Sequence, residues 1–243
     1  MEPTALLIIA AIFVVAVLYS SVGHGGASGF LAVMAFLSVA PAVTRPTALV
    51  LNLFVASIGA YQFYRAGHFS WKLFWPFAVT SIPFAFLGGM ITLPTHIYKT
   101  LLGLVLLFAA FRLAWKFSKE VEPAAPNIWI ALVCGAAMGL LSGLVGVGGG
   151  IFLTPLLLLM TWSETKTAAG ISALFILVNS AAGLLGNYQQ VSVLPPDVWF
   201  WIAAAVAGGI VGSLLGSRKF DSLMLRRVLA AVLLFAAVKL IFV

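Results

Sequence analysis

Two stretches of this chain, Leu73–Met90 and Ala203–Leu215, run without a single charged side chain. With their flanks they approach the roughly 20 residues a helix needs to cross a bilayer core of about 30 Å. Only 8% of the 243 residues are charged and the mean hydropathy is +1.17, whereas an ordinary soluble domain carries about a quarter charged residues. So little polar surface cannot wrap a water-facing globule. The solvent for most of this chain is therefore lipid.

The formal net charge of +7 does not indicate nucleic acid. The Lys and Arg residues are scattered at the ends of apolar segments, where they anchor and orient membrane helices. The bilayer is the expected partner and nucleic acid is excluded. A single cysteine, Cys134, rules out an internal disulfide and a cysteine-rich metal site. Met1-Glu2-Pro3-Thr4 lacks the basic stretch of a cleaved signal, so Ala5–Ser20 reads as a retained first helix. Trp71, Trp75, Trp199 and Trp201 stand at expected helix starts, as in an interfacial aromatic belt.

The chain repeats itself. Val105-Leu106-Leu107-Phe108-Ala109-Ala110 recurs as Val232-Leu233-Leu234-Phe235-Ala236-Ala237. Gly23-His24-Gly25-Gly26-Ala27 corresponds to Gly146-Val147-Gly148-Gly149-Gly150, and Gly59 and Tyr64 match Gly183 and Tyr188. The offsets of 127, 123 and 124 keep one order with little drift, the signature of an internal duplication. A polar, proline-containing joint marks the midpoint. The expected organisation is an N-terminal half over 1–117, a linker over 118–126 and a C-terminal half over 127–243, together one membrane domain.

Each half reads as five apolar segments: 4–20, 30–40, 47–64, 73–90 and 98–115, then 128–145, 151–161, 168–187, 198–217 and 223–242. The second of each set is too short to span, since 11 residues of helix rise only about 16 Å. If the first two segments form a returning hairpin, ten Lys/Arg gather on one side, leaving Arg45, Lys99 and Lys239 opposite. A full first crossing divides them seven against six. The positive-inside rule favours the hairpin, with the basic side cytoplasmic. The expected fold is all-α: a polytopic bundle of two inverted repeats, each a glycine-broken hairpin followed by three spanning helices. Broken helices in inverted repeats are a recurring transporter design.

Non-helical backbone within a bilayer survives only where protein buries it or a polar cavity receives it. Ser20 to Gly29 and Ser142 to Gly150 are such breaks. Their glycines are consecutive, whereas glycines that serve helix packing recur at four-residue intervals along intact helices. Neither stretch fits the dinucleotide fingerprint, because Ser28 and Ile151 stand where the last glycine belongs. The half-helices that follow would aim free N–H groups and positive dipole ends inward, an arrangement that receives anions.

Side chains point the same way. All six acidic residues (Glu2, Glu120, Glu122, Glu164, Asp197, Asp221) fall in expected loops or at the terminus, which argues against a cation substrate or a carboxylate proton relay. The remaining intramembrane polar groups are hydroxyls, amides and His24. His24 either serves the anion, by hydrogen bonding or by carrying a proton, or is a neutral histidine bonded to backbone. Arg45 reads either as a charge at a funnel mouth or, more simply, as an interfacial anchor. Asn52 lies inside the following helix, facing a cavity or bonding across helices. The expected binding residues are Ser21, Gly23, His24, Gly25, Gly26, Arg45, Asn52, Gly146, Gly148, Gly149, Gly150 and Thr154. No triad, carboxylate pair or metal-ligand cluster is present, so neither an enzyme, a metal nor a cofactor is expected.

Gly23-His24-Gly25-Gly26, Arg45-Pro46-Thr47-Ala48 with Asn52, Gly146-Val147-Gly148-Gly149-Gly150 and the Gly59…Tyr64-Arg65-Ala66-Gly67-His68 ending resemble the sulfite exporter TauE/SafE family over essentially the whole chain. His24 is a departure from a plain glycine run. The resemblance implies a secondary transporter in the cytoplasmic membrane for sulfite, another sulfur oxyanion or an organosulfonate. The alternatives are a passive anion channel or, further off, a membrane enzyme or assembly partner. A homodimer is compatible with the sequence.

Overall fold

A computed structural model describes residues 3–21, 23–37, 39–114, 124, 126–189, 194, 196–218 and, in the C-terminal segment, 230, 233, 234, 237, 238 and 241. Among the described residues the regular structure is entirely helical. The helices are α1 (Pro3–Ser20), α2 (Ala27–Phe36), α3 (Pro41–Arg65), α4 (Trp71–Met90), α5 (Thr95–Ala114), α6 (Ile128–Val145), α7 (Gly150–Leu159), α8 (Thr165–Gly186) and α9 (Val198–Arg218). The expected linker, apart from Ala124 and Pro126, and most of the expected tenth segment lie outside the described residues.

Five helices, α3, α4, α6, α8 and α9, are long and apolar enough to cross a membrane. The expected half-length elements are present: α2 and α7 have 10 residues each, a rise of about 15 Å. The third helix starts earlier than the apolar pattern implied. Pro41 opens it at its first turn, where a fixed φ and a missing N–H cost nothing, so Arg45 and Pro46 lie within it.

Burial ranks the spans. The best windows of α3 and α8 are 61% and 67% buried, against 39% for α6 and α9, so α3 and α8 form the centre and the others sheathe them. Trp129, Val133 and Trp199 lie on the outer face, where lipid replaces water as solvent. Trp71, Trp75 and Trp199 are exposed as a belt requires, but Trp201 is buried in the apolar core cluster that also holds Tyr19 and Leu106. It faces inward because a helix turns about 200° in two residues.

Two backbone seams hold the sheath. Gly135, Gly139 and Gly143 of α6 lie against Phe77, Ser81 and Ala85 of α4, so closely that a Cβ on Gly139 would stand 2.6 Å from Ser81 Cα. Gly208, Gly212 and Gly216 of α9 meet Phe13 and Val17 of α1 and Ser21 just past its end in the same way. Four-residue glycine spacing places a groove on one helix face into which another backbone fits. Thr80 Oγ1 also donates to Leu132 O across the first seam (2.7 Å). The pairings exchange regularly: α1 packs on α9 and α6 on α4, α3 on α9 and α8 on α4, α2 on α3 and α7 on α8, with α3 against α8 in the middle.

Candidate functional site

Both helix breaks are real and both are buried. α1 ends at Ser20 and α2 begins after Gly26; α6 ends at Val145 and α7 begins after Gly149. Gly23, Gly26, Gly146, Gly148 and Gly149 have φ of 75°, 98°, 86°, 80° and 79°, a left-handed conformation that glycine adopts without a Cβ penalty. Residues 23–32 and 145–151 are buried throughout. Neither half-helix has a side-chain N-cap, so their first-turn amides carry their partial positive charge into the protein interior. After the first break the chain doubles back, with Gly29 resting on Val15 and Tyr19 of α1.

The two breaks meet at one side chain. A Cβ placed on Gly25 would lie 2.7 Å from Asn52 Oδ1 and 2.9 Å from Ile176 Cγ2. One placed on Gly148 would lie 2.7 Å from Asn52 Nδ2, 2.8 Å from Ile176 Cγ2 and 3.0 Å from Ser180 Oγ. The Asn52 carboxamide of α3 thus stands between the breaks, with Ile176 of α8 beside it. Its Nδ2 donates to Val147 O (3.4 Å) and Ser180 Oγ (3.3 Å). Its Oδ1 is buried without a hydrogen-bond partner. Asn52 therefore bonds across helices, one of the two readings that its sequence position left open.

The other expected residues are distributed around this centre. Gly23 packs on Ala169, Gly26 on Phe30, Gly149 on Phe175 and Gly150 on Ile176. His24 is buried, 6.5 Å edge-on from the Tyr19 ring, whose hydroxyl accepts from Ser28 Oγ (3.1 Å). Thr154 Oγ1 donates to Ser172 Oγ (2.8 Å), which pins α7 to α8 and leaves that proton engaged. Ser21 is half-buried; its hydroxyl returns to Leu18 O (2.7 Å) and its backbone lies against Gly216, in the α1–α9 seam.

Arg45 sits deeper than either of its sequence readings placed it, at 4% exposure. Its guanidinium donates to Ile91 O (2.9 Å), Gly88 O (2.8 Å) and Gly89 O (2.6 Å). Those carbonyls end α4, where the helix dipole is negative and its acceptors lack intrahelical donors. Gly146 of the second break packs on the Arg45 stem, 3.1 Å from Cγ. One buried cation thus fastens α3, the end of α4 and the second break together.

Sequence reasoning missed Ser180 and Ile176. A signal existed: the offset of 124 that pairs Gly59 with Gly183 also pairs Asn52 with Ile176. Ser20 and Ser142, each one turn before a break, carry buried hydroxyls without partners. Of the acidic residues, Glu164 and Asp197 are described, and both are exposed and outside the helices; Glu2, Glu120, Glu122 and Asp221 lie outside the described residues.

Apolar spans around two buried, uncapped half-helices define a multi-pass membrane transporter. Comparison with known proteins gives it a lineage: residues 8–240 match the family described as Sulfite exporter TauE/SafE, and the chain belongs to that family. It is 37% identical to the probable membrane transporter protein y4hK of Sinorhizobium fredii, over 99% of this chain and 100% of that relative. It is also 26% identical to YjnA of Bacillus subtilis, covering 90% and 92% of the two chains, and 29% identical to MJ0441 of Methanocaldococcus jannaschii, covering 71% and 68%. Both carry the same description, probable membrane transporter protein. No solved structure matches the chain significantly.

Proposed function

We propose that this protein is a secondary transporter that carries a small oxyanion across the cytoplasmic membrane, and that the anion is held where the two glycine breaks meet. The observation that carries this reading is the convergence of Gly25 and Gly148 on Asn52. Two helix starts without side-chain caps bring amide donors to one buried place, and an oxyanion is the ligand such donors suit. The family name points to sulfite, and hydroxyl and amide neighbours suit sulfite, other sulfur oxyanions and organosulfonates alike. Weak neutral donors also release what they bind, as transport requires. The sequence carries no nucleotide-binding motif, so the driving force is an ion gradient or a separate subunit.

The exchange of packing partners between helices α1–α4 and α6–α9 supports two repeats about a pseudo-two-fold axis. The Lys/Arg distribution supports their inversion, with the basic side cytoplasmic. Alternating access would then tilt the sheath against the α3–α8 centre.

Uptake of radiolabelled sulfite into proteoliposomes tests the proposal. Wild-type protein should show saturable uptake with trans-acceleration, and Gly25→Ala, which sets a methyl against Asn52 Oδ1, should lower it at least tenfold while the protein remains folded. Unchanged uptake by a folded Gly25→Ala protein would move the site away from the breaks.

A further inference from the structure

We infer that the transported anion brings a hydrogen-bond donor of its own, an O–H or N–H, and that Asn52 Oδ1 receives it. This rests on the proposed site and specifies the kind of anion that fits there.

The neighbours of the Asn52 carboxamide fix its orientation. Val147 O, 3.4 Å from Asn52, is an acceptor only, so the amide nitrogen must face it. Flipping the group would set two carbonyl oxygens together. With the nitrogen assigned to Val147 and Ser180, Oδ1 is directed at Gly25. There it stays unpartnered, in a residue with 0% exposure. Buried carbonyl oxygens are rarely left so, because an unpaired acceptor in a region of low polarity is costly.

A ligand that carries acceptors alone makes this worse. Its oxygens would bond to amides at the starts of α2 and α7, but the one nearest Asn52 would confront a second oxygen. An anion with one donor resolves the conflict: its bare oxygens turn to the amides and its O–H or N–H turns to Oδ1. Ile176 holds the matching position on α8 and offers no acceptor, so the duplication supplies no second carboxamide there. The chemical class is therefore a singly charged oxyanion that keeps a proton or an amino group. A cation at Oδ1 is the competing reading; the uncapped helix starts on both sides of it disfavour that.

Sulfamate and methanesulfonate make the test. They share a charge and a shape and differ in bearing an amino or a methyl group. Purified full-length protein should bind sulfamate about tenfold more tightly than methanesulfonate, the factor expected for one buried hydrogen bond. In Asn52→Ala the two affinities should become equal, chiefly through weaker sulfamate binding. The wild-type comparison decides the matter even if the variant fails to fold. Equal affinities in the wild type would overturn this inference and leave the anion site standing, as would sodium-dependent binding that treats both ligands alike. Binding of neither ligand, nor of sulfite, would remove the site and the inference together.

Discussion

The two glycine breaks share a backbone but not a set of neighbours. Gly23 and Gly146 occupy matching positions, both at positive φ, yet the first rests on Ala169 and the second on the stem of Arg45. Gly25 and Gly148 both face Asn52 and Ile176, but the carboxamide donates only into the second break, at Val147 O. The α7 side is also tied down by Thr154 to Ser172, where the corresponding residue of α2, Leu31, is apolar. The duplication has preserved the shape that brings amides inward and has let the fastening diverge. The second break is fastened to α3 and α8 through Val147 and Thr154, whereas the Tyr19–Ser28 hydrogen bond at the first stays within its own hairpin.

Removing the fastenings one at a time should expose that difference. The largest effect is expected from Arg45→Leu, which leaves three carbonyls at the end of α4 without their buried donor and should cost roughly 3–5 kcal/mol. A thermal melt in detergent measures it, and Arg45→Lys should recover only part of the loss because an ammonium lacks the fork. Ala169, its counterpart at the first break, should tolerate Ala169→Ser with less than about 1 kcal/mol. If both substitutions cost the same, the asymmetry described here has no energetic content.

Next comes the pair Gly148→Ala and Gly25→Ala. Both put a methyl 2.7 Å from the Asn52 carboxamide, but only Gly148 has a left-handed backbone, so Gly148→Ala should be the less stable by about 1–2 kcal/mol. Denaturant midpoints of the two purified variants, compared side by side, give the difference, and a larger loss in Gly25→Ala would contradict it. Thr154→Val should cost about 1 kcal/mol, the value of one neutral hydrogen bond. Ser28→Ala should cost less still, since its 3.1 Å bond to Tyr19 lies within one hairpin. Hydrogen exchange at the α7 and α2 amides would then rise more in the first variant than in the second.

Much of this architecture was legible in the residues. Runs such as Leu73–Met90 announced their helices by length, and the dense glycines announced backbone that no helix could use. The partners of Arg45 were not legible, because Gly88, Gly89 and Ile91 arrive more than forty positions later, and no local rule shows which helix end will meet it. Asn52 bonds across separations of 95 and 128 residues, so its neighbours required the fold. The seam glycines are a different case. Gly135, Gly139 and Gly143, like Gly208, Gly212 and Gly216, stand at plain four-residue spacing, and their role was readable once glycine was treated as two populations.

Those seams bear on how the chain can be divided. Each joins a helix from before the midpoint to one from after it, α4 to α6 and α9 to α1. A polypeptide severed at the midpoint would yield a C-terminal fragment with two glycine-floored furrows, on α6 and α9, that the α4 and α1 backbones of the other fragment fill. Lipid tails are too thick to replace a bare main chain there. The structural unit is therefore the interlocked pair of sequences, and either fragment alone would turn an inner seam face to the bilayer.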